Sequence, residues 1–209
     1  MTSPLQRPLA GLLLAGSLTL LGAAILHPVL HGSASDHLQM ISDTPRWRTI
    51  HLLLSLGTGL TIAGVWARLL VAPQSLRVEY GIALGLLALG ELLNGVNIAF
   101  MTGAGTQLAA MERATPGSAL ALYQGIHPAT LMAARLGSLL VAMAALFLAR
   151  LGGADPREKG WIRGILAVAG LLGLLAVLIL PETNVATPIG IGIMAIWGVV
   201  VGWRALTLA

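Results

Sequence analysis

The stretch WIRGILAVAGLLGLLAVLIL, Trp161 to Leu180, decides the fold class, because its one charged residue, Arg163, lies near its start. A helix of about 20 apolar residues crosses the ~30 Å hydrocarbon core of a bilayer. Similar runs recur along the 209-residue chain, which is 56% hydrophobic and 10% charged. Because soluble domains contain about 25% charged residues, the sequence predicts an all-α integral membrane protein with a single transmembrane domain over residues 1–209.

The apolar runs predict a bundle of six transmembrane helices. Their starts are marked by capping side chains that precede Pro45, Pro156 and Pro188. The predicted spans cover residues 9–30, 49–71, 80–101, 129–149, 161–180 and 188–206, and a short interfacial helix is expected over residues 116–125. The first apolar run exceeds the roughly 7–15 residues of a secretory signal core, so we expect a retained helix.

The positive charges predict the orientation of these helices. With the N-terminus in the cytoplasm, eight Lys and Arg residues fall on the inner side and three on the outer side. The inner residues are Arg7, Arg68, Arg77, Arg150, Arg157, Lys159, Arg163 and Arg204, and the outer ones are Arg46, Arg48 and Arg113. Cytoplasmic loops carry this kind of excess, so the sequence predicts a multi-pass protein of the cell (inner) membrane with both termini inside.

Several functional classes are excluded by what the sequence lacks. There are no cysteines, so thiolate catalysis, iron–sulfur clusters and Cys-ligated zinc are ruled out. The sequence contains no GxSxG, P-loop or HExxH motif. Nucleic-acid binding is not expected, because the basic residues are scattered at predicted membrane edges and form no stripe.

The histidines indicate a site at the outer side of the membrane. In this topology His27 and His31 close the first span, His51 opens the second, and His127 opens the fourth. A spacing of four places His27 and His31 on one helical face, where two imidazoles can bind one metal ion. We expect the remaining histidine, His37, to lie in a loop and to be the poorest ligand.

Two kinds of cofactor suit these four histidines. One is a b-type haem between two imidazoles, with Arg46, Arg48 and Arg135 available to bind the propionates. The other is a transition-metal ion such as copper, zinc or iron. Isolated interfacial histidines without any ligand are also common, so the cofactor is a hypothesis.

Two charged residues fall inside predicted spans. Glu91 and Arg135 lie at similar depths, and we predict an ion pair between them, because charges at such depth usually have a partner. Asn94 and Asn97 extend Glu91 into a polar stripe at intervals of three residues. The stripe is either a clasp of interhelical hydrogen bonds or a polar pocket or proton path that leads inward from the histidines.

The best-supported functional hypothesis is a membrane redox or electron-transfer protein that binds haem or a metal. One alternative is a metal-dependent lipid hydrolase, with zinc on His27, His31 and His51 and with Asp36 or Asp43 as a ligand or base. Others are a small transporter and a non-catalytic subunit of a membrane complex. The expected partners are the lipid bilayer, other membrane subunits or further copies of the chain.

Overall fold

The long apolar runs form helices. The computed structural model describes residues 5–70, 72–153, 160–179 and 186–207, and within these ranges it contains helices and short connections. Five helical segments are long and apolar enough to cross a membrane: Gln6–Leu26, Trp47–Leu70, Gln74–Ala114, Leu120–Leu151 and Gly160–Ile179. The prediction of an all-α protein is confirmed for the described residues, and several of its helices have the length and apolar composition of membrane spans. The predicted sixth span falls on a further helix, whose described apolar part covers Met194–Thr207.

The described helices are numbered in chain order. They are α1 (Gln6–Leu26), α2 (Ala34–Asp43), α3 (Trp47–Leu70), α4 (Arg77–Phe100), α5 (Thr106–Ala114), α6 (Leu120–Leu151), α7 (Gly160–Ile179) and α8 (Ala186–Thr207). A 3-10 turn at Gln74–Leu76 precedes α4, and a π-helical turn at Met101–Gly105 joins α4 to α5. The main apolar core draws side chains from all six long helices. We call α2, the π-helical turn and α5 the cap, since they pack together at one end of the bundle.

The first helix ends earlier than predicted. His27 is the C-cap of α1, with extended backbone angles of φ −77° and ψ 119°. Proline disfavours the helical conformation in the residue that precedes it, and Pro28 follows His27 directly. The expected helical face shared by His27 and His31 is therefore wrong, because His31 lies beyond the end of the helix.

The segment after His31 is helical, although a loop was expected for His37. Ser33 and Asp36 form a capping box in which each side chain accepts a hydrogen bond from the other residue's backbone N–H. Such a box satisfies two backbone donors at a helix start. As a result α2 is ordered from Ala34, and His37 is only 6% exposed.

The short interfacial helix expected over residues 116–125 does not exist as a separate element. Helix α6 begins at Leu120 and continues through Pro128 to Leu151. Pro128 has no N–H to donate to the Gln124 carbonyl oxygen four residues earlier, and proline is tolerated within membrane helices when such freed backbone atoms find other partners. Two residues after the proline, the Thr130 hydroxyl donates to the His127 carbonyl oxygen at 2.9 Å. The expected boundary at residue 129 is wrong, and α6 extends well beyond the predicted fourth span.

Glycines let the long helices approach one another closely. Against α3, an ideal Cβ at Gly16 of α1 would lie 2.5 Å from the Thr61 backbone nitrogen. Where α4 and α6 cross, an ideal Cβ at Gly90 would lie 2.6 Å from the Gly137 carbonyl oxygen. Membrane helices associate through small residues in this way, since lipid removes the hydrophobic drive between them.

The first six helices form two similar hairpins. In each, a long helix is followed by a short cap helix and then by a long helix that packs back on the first: α1–α2–α3 and α4–α5–α6. The first turns of both returning helices share a five-residue pattern: an aromatic residue, two others, an isoleucine and a histidine. It covers Trp47 to His51 at the start of α3 and Tyr123 to His127 in the first turns of α6. The chain thus places an aromatic–histidine pair twice at the cap end.

Candidate functional site

Two of the predicted ligands meet at the cap end of the first hairpin. His27 ends α1 and His51 lies in the first turns of α3, and their Nε2 atoms are 3.2 Å apart. His51 is 2% exposed. Its Nδ1 lies 2.9 Å from the Trp47 carbonyl oxygen. Because a carbonyl only accepts hydrogen bonds, Nδ1 carries the proton, and the lone pair of His51 Nε2 is directed at His27.

Trp47 holds this imidazole pair in place. Its ring centroid lies 4.3 Å from that of His51 and 5.4 Å from that of His27. Its indole Nε1 donates to the Met101 carbonyl oxygen at 3.2 Å, which connects the first hairpin to the π-helical turn. Both imidazoles therefore rest on a side chain anchored in the cap.

Burial keeps His27 uncharged at neutral pH. Desolvation lowers its pKa below the usual 6.5, although a hydrogen bond with the Pro28 backbone acts in the opposite direction. A neutral imidazole has a free lone pair, and this is the form that binds metals. His27 therefore has one ring nitrogen with a free lone pair, as a metal ligand requires.

A second histidine pair lies in a buried aromatic cluster formed by His37, Phe100, Tyr123 and His127. The Tyr123 and His127 rings stack with centroids 4.6 Å apart. The His37 ring stands almost perpendicular to His127, at an interplanar angle of 89° and a centroid distance of 5.8 Å. Tyr123 and His127 occupy, in the second hairpin, the position that Trp47 and His51 occupy in the first.

The other predicted site residues do not join the His27–His51 pair. His31 is exposed, and its Nδ1 contacts the Val29 carbonyl oxygen at 3.2 Å. Arg46 and Arg48 are exposed at the start of α3. Arg135 extends to α7, where it donates to the Val177 carbonyl oxygen. The predicted convergence of four histidines is thus replaced by two separate pairs, and His31 belongs to neither.

The predicted ion pair between Glu91 and Arg135 is not formed. In the part of the chain that the structure describes, Glu91 makes no hydrogen bond or ion pair, although it is 3% exposed. The prediction considered only the depth of the two residues along their helices. Whether two side chains meet depends also on the rotation of each helix about its axis, which sets the direction of its side chains. The polar stripe itself faces α6, where Thr130 donates to Asn97 at 2.9 Å and Ser138 approaches the Asn94 side-chain oxygen at 3.4 Å.

Three residues at the two histidine pairs were not predicted from the sequence: His37, Trp47 and Tyr123. The capping box at Ser33 would have placed His37 on a helix. The repeated pattern of an aromatic residue four positions before a histidine would have identified Trp47 and Tyr123, because residues four apart are neighbours on a helix.

No protein-family model, curated protein or solved structure matches this chain. The functional argument therefore depends on the geometry of the described residues. Among them, no group of three or more His, Asp or Glu side chains converges as a metal site would require. The His27–His51 pair can supply two protein ligands, and any further ligand would come from water or another molecule.

Proposed function

We propose that this protein is a membrane protein of six spans that binds a transition-metal ion between His27 and His51. The observation that carries the proposal is the 3.2 Å distance between the two Nε2 atoms. Two nitrogen ligands at 2.0–2.1 Å from a tetrahedral ion are about 3.3 Å apart. The imidazoles therefore need little movement to admit an ion.

The hydrogen bond from His51 to the Trp47 carbonyl oxygen supports the same proposal. Metal-binding histidines usually donate their second ring N–H to a carbonyl or carboxylate, which fixes the tautomer and the ring orientation. His51 donates from Nδ1 at 2.9 Å in this way. A plain hydrogen bond between the two imidazoles would also give a short distance, and metal titration distinguishes the two arrangements.

A small ion suits the pair better than haem does. The iron of a six-coordinate haem lies in the porphyrin plane, with one imidazole on each face. At 3.2 Å the two Nε2 atoms leave no room for a porphyrin between the rings. The predicted propionate partners Arg46 and Arg48 are exposed, and Arg135 contacts α7. With copper or iron bound, the site would serve electron transfer, whereas zinc has no redox chemistry.

The membrane arrangement that we propose has six crossings, with both termini in the cytoplasm and the cap outside. It is supported by the five apolar segments, by the direction of α8 and by the excess of positive charge on the predicted inner side. Contacts of Ser17 with Gly198 and of Leu14 with Gly202 show that α8 packs antiparallel to α1. A sixth crossing by α8 would therefore return the chain to the side where α1 begins.

Metal titration of the purified protein in detergent tests the proposal. Calorimetry with Zn²⁺ and Cu²⁺ should give one equivalent bound to the wild-type protein and none to H27Q or H51Q. H31Q is the matched control, because His31 lies four residues from His27 and is exposed, so it should bind like the wild type. An absorbance spectrum and elemental analysis of protein purified without added metal identify the native ion, and a Soret band would instead favour haem.

Two results would contradict the metal site. One is H27Q and H51Q binding metal as tightly as the wild-type protein. The other is H31Q losing affinity together with them, which would indicate loose surface binding. Size-exclusion profiles that match the wild type exclude misfolding as the cause of a lost site.

A further inference from the structure

Of the nine buried side-chain polar atoms without hydrogen-bond partners among the described residues, five lie where α2, α4 and α6 meet. Among the described residues, no partner exists for either ring nitrogen of His37, for Nε2 of His127, for the Tyr123 hydroxyl or for Nδ2 of Asn94. All four residues are at least nine-tenths buried. Leaving such a group unpaired costs about 1–3 kcal/mol, and buried polar atoms of this kind are commonly satisfied by internal water.

These residues continue into a line of polar side chains between α4 and α6. Below His127, the Thr130 hydroxyl donates to the Asn97 side-chain oxygen at 2.9 Å. About one turn further along α4 and two turns further along α6, Ser138 approaches the Asn94 side-chain oxygen at 3.4 Å. Glu91 lies three residues before Asn94 on the same side of α4. We call the line from His37 to Glu91 the polar path.

The polar path ends at Glu91. At 1.5 Å per residue, Glu91 lies about 14 Å from the cap end of α4. Beyond it the space between α4 and α6 is filled by apolar side chains of the main core: Leu84, Leu87, Val141, Ala144, Ala145 and Leu148. The polar path is therefore continuous with the cap end and is closed toward the opposite end of the bundle.

Arg68 and Arg135, which lie on the helices beside α4, bond to groups other than Glu91. On α3, Arg68 donates to the Tyr80 hydroxyl at 2.7 Å near the opposite end of α4. On α6, Arg135 donates to the Val177 carbonyl oxygen. A carboxylate buried without a cation is costly, so Glu91 needs a proton or water to be accommodated.

We infer that the polar path is hydrated and that Glu91 is a proton-binding site in exchange with the cap end of the bundle. Water bridging the unpaired atoms of His37, Tyr123, His127 and Asn94 provides the route. The ligand of this site is a proton, which Glu91 takes up from the cap end of the bundle and releases to the same end. This site is separate from the His27–His51 pair and does not depend on metal binding there.

Infrared difference spectroscopy of the protein in lipid bilayers, in H₂O and in D₂O, tests the inference. A protonated carboxyl gives a carbonyl stretch of its own, which shifts to lower frequency when deuterium replaces the proton. We expect this band in the wild-type protein and its loss in E91Q. E79Q, at an exposed position in the first turn of α4, should retain it.

The rate of the deuterium shift tests hydration of the polar path. N94L replaces a central polar side chain by an apolar one of similar size, and the shift should become slower than in the wild-type protein. S138A is a smaller change that should slow it in the same direction if N94L does not yield folded protein. T19V, at an exposed hydroxyl of α1, should exchange at the wild-type rate.

Either of two outcomes overturns the inference. The first is a wild-type protein without any carboxyl band that E91Q removes, which would mean that Glu91 binds no proton. The second is an exchange rate in S138A and folded N94L equal to that of T19V, which would mean that the polar path is not the route.

Discussion

Replacing Gly90 by alanine tests whether the close crossing of α4 and α6 holds the bundle together. An ideal Cβ at residue 90 would lie 2.6 Å from the Gly137 carbonyl oxygen and 2.8 Å from Cγ2 of Val141. Optimal contacts between carbon atoms are about 3.5–4.0 Å. The nearest atom belongs to the backbone, so rotation of a side chain cannot relieve the contact and the helices must separate.

The expected cost follows from this forced separation. Adding a methyl group to a well-packed interior costs about 1–3 kcal/mol. For chains of 150–250 residues, 1 kcal/mol changes the melting temperature by about 2–4 °C. Because alanine gains about 0.5–1 kcal/mol over glycine within a helix, the net cost is about 0–2.5 kcal/mol. G90A should therefore lower the melting temperature by up to about 10 °C.

Gly95, on the same helix, provides a control in which substitution by alanine is expected to change the melting temperature in the opposite direction. An ideal Cβ there meets nothing within 4 Å, and glycine within a helix is about 0.5–1 kcal/mol less stable than alanine. G95A should therefore raise the melting temperature slightly. Thermal unfolding of both variants in the same detergent, followed by size-exclusion chromatography, measures the difference. If G90A melts at or above the temperature of G95A, the crossing is not close enough to matter.

Two further predictions concern α2. Desolvation lowers the pKa of His37 below 6.5 in the folded protein, although the Asp36 carboxylate acts in the opposite direction. Between pH 7 and pH 5 the unfolded state therefore binds more protons than the folded state does. The free energy of unfolding should then fall as the pH is lowered. Melting temperatures measured across this range should fall less steeply in H37F than in the wild type, and an unchanged slope would contradict the prediction. Removing the capping box by S33A should cost about 0.5–2 kcal/mol and speed amide hydrogen exchange in α2, whereas S35A, at an exposed position, should leave exchange unchanged.

The positions of the long helices could be predicted because a bilayer imposes a minimum apolar length. The predicted spans at 49–71 and 161–180 differ by only a few residues from α3 and α7. Helix ends were harder to predict, because proline acts in opposite ways at two sites. Pro28 follows His27, the C-cap of α1, whereas Pro128 lies inside α6.

Pairing across helices was the least predictable feature of the site. Depth in the membrane placed Glu91 opposite Arg135, but the rotation of each helix directs Arg135 to α7. The meeting of His27 and His51 was anticipated because a short connection makes neighbouring spans antiparallel. The burial of His37 depends on packing between α2 and α6, which no local pattern in the sequence specifies.

The two hairpins have an evolutionary consequence. Both begin at the same end of the bundle, turn through a short helix at the cap end and return, as two copies of one ancestral hairpin would. Duplication and fusion of such a hairpin would then have allowed each half to specialise. At the end of the first helix one copy now carries the imidazole of His27, whereas the other carries the phenyl ring of Phe100, packed against His127. The proposed ion-binding pair therefore depends on a histidine at a place where the second hairpin has a phenylalanine.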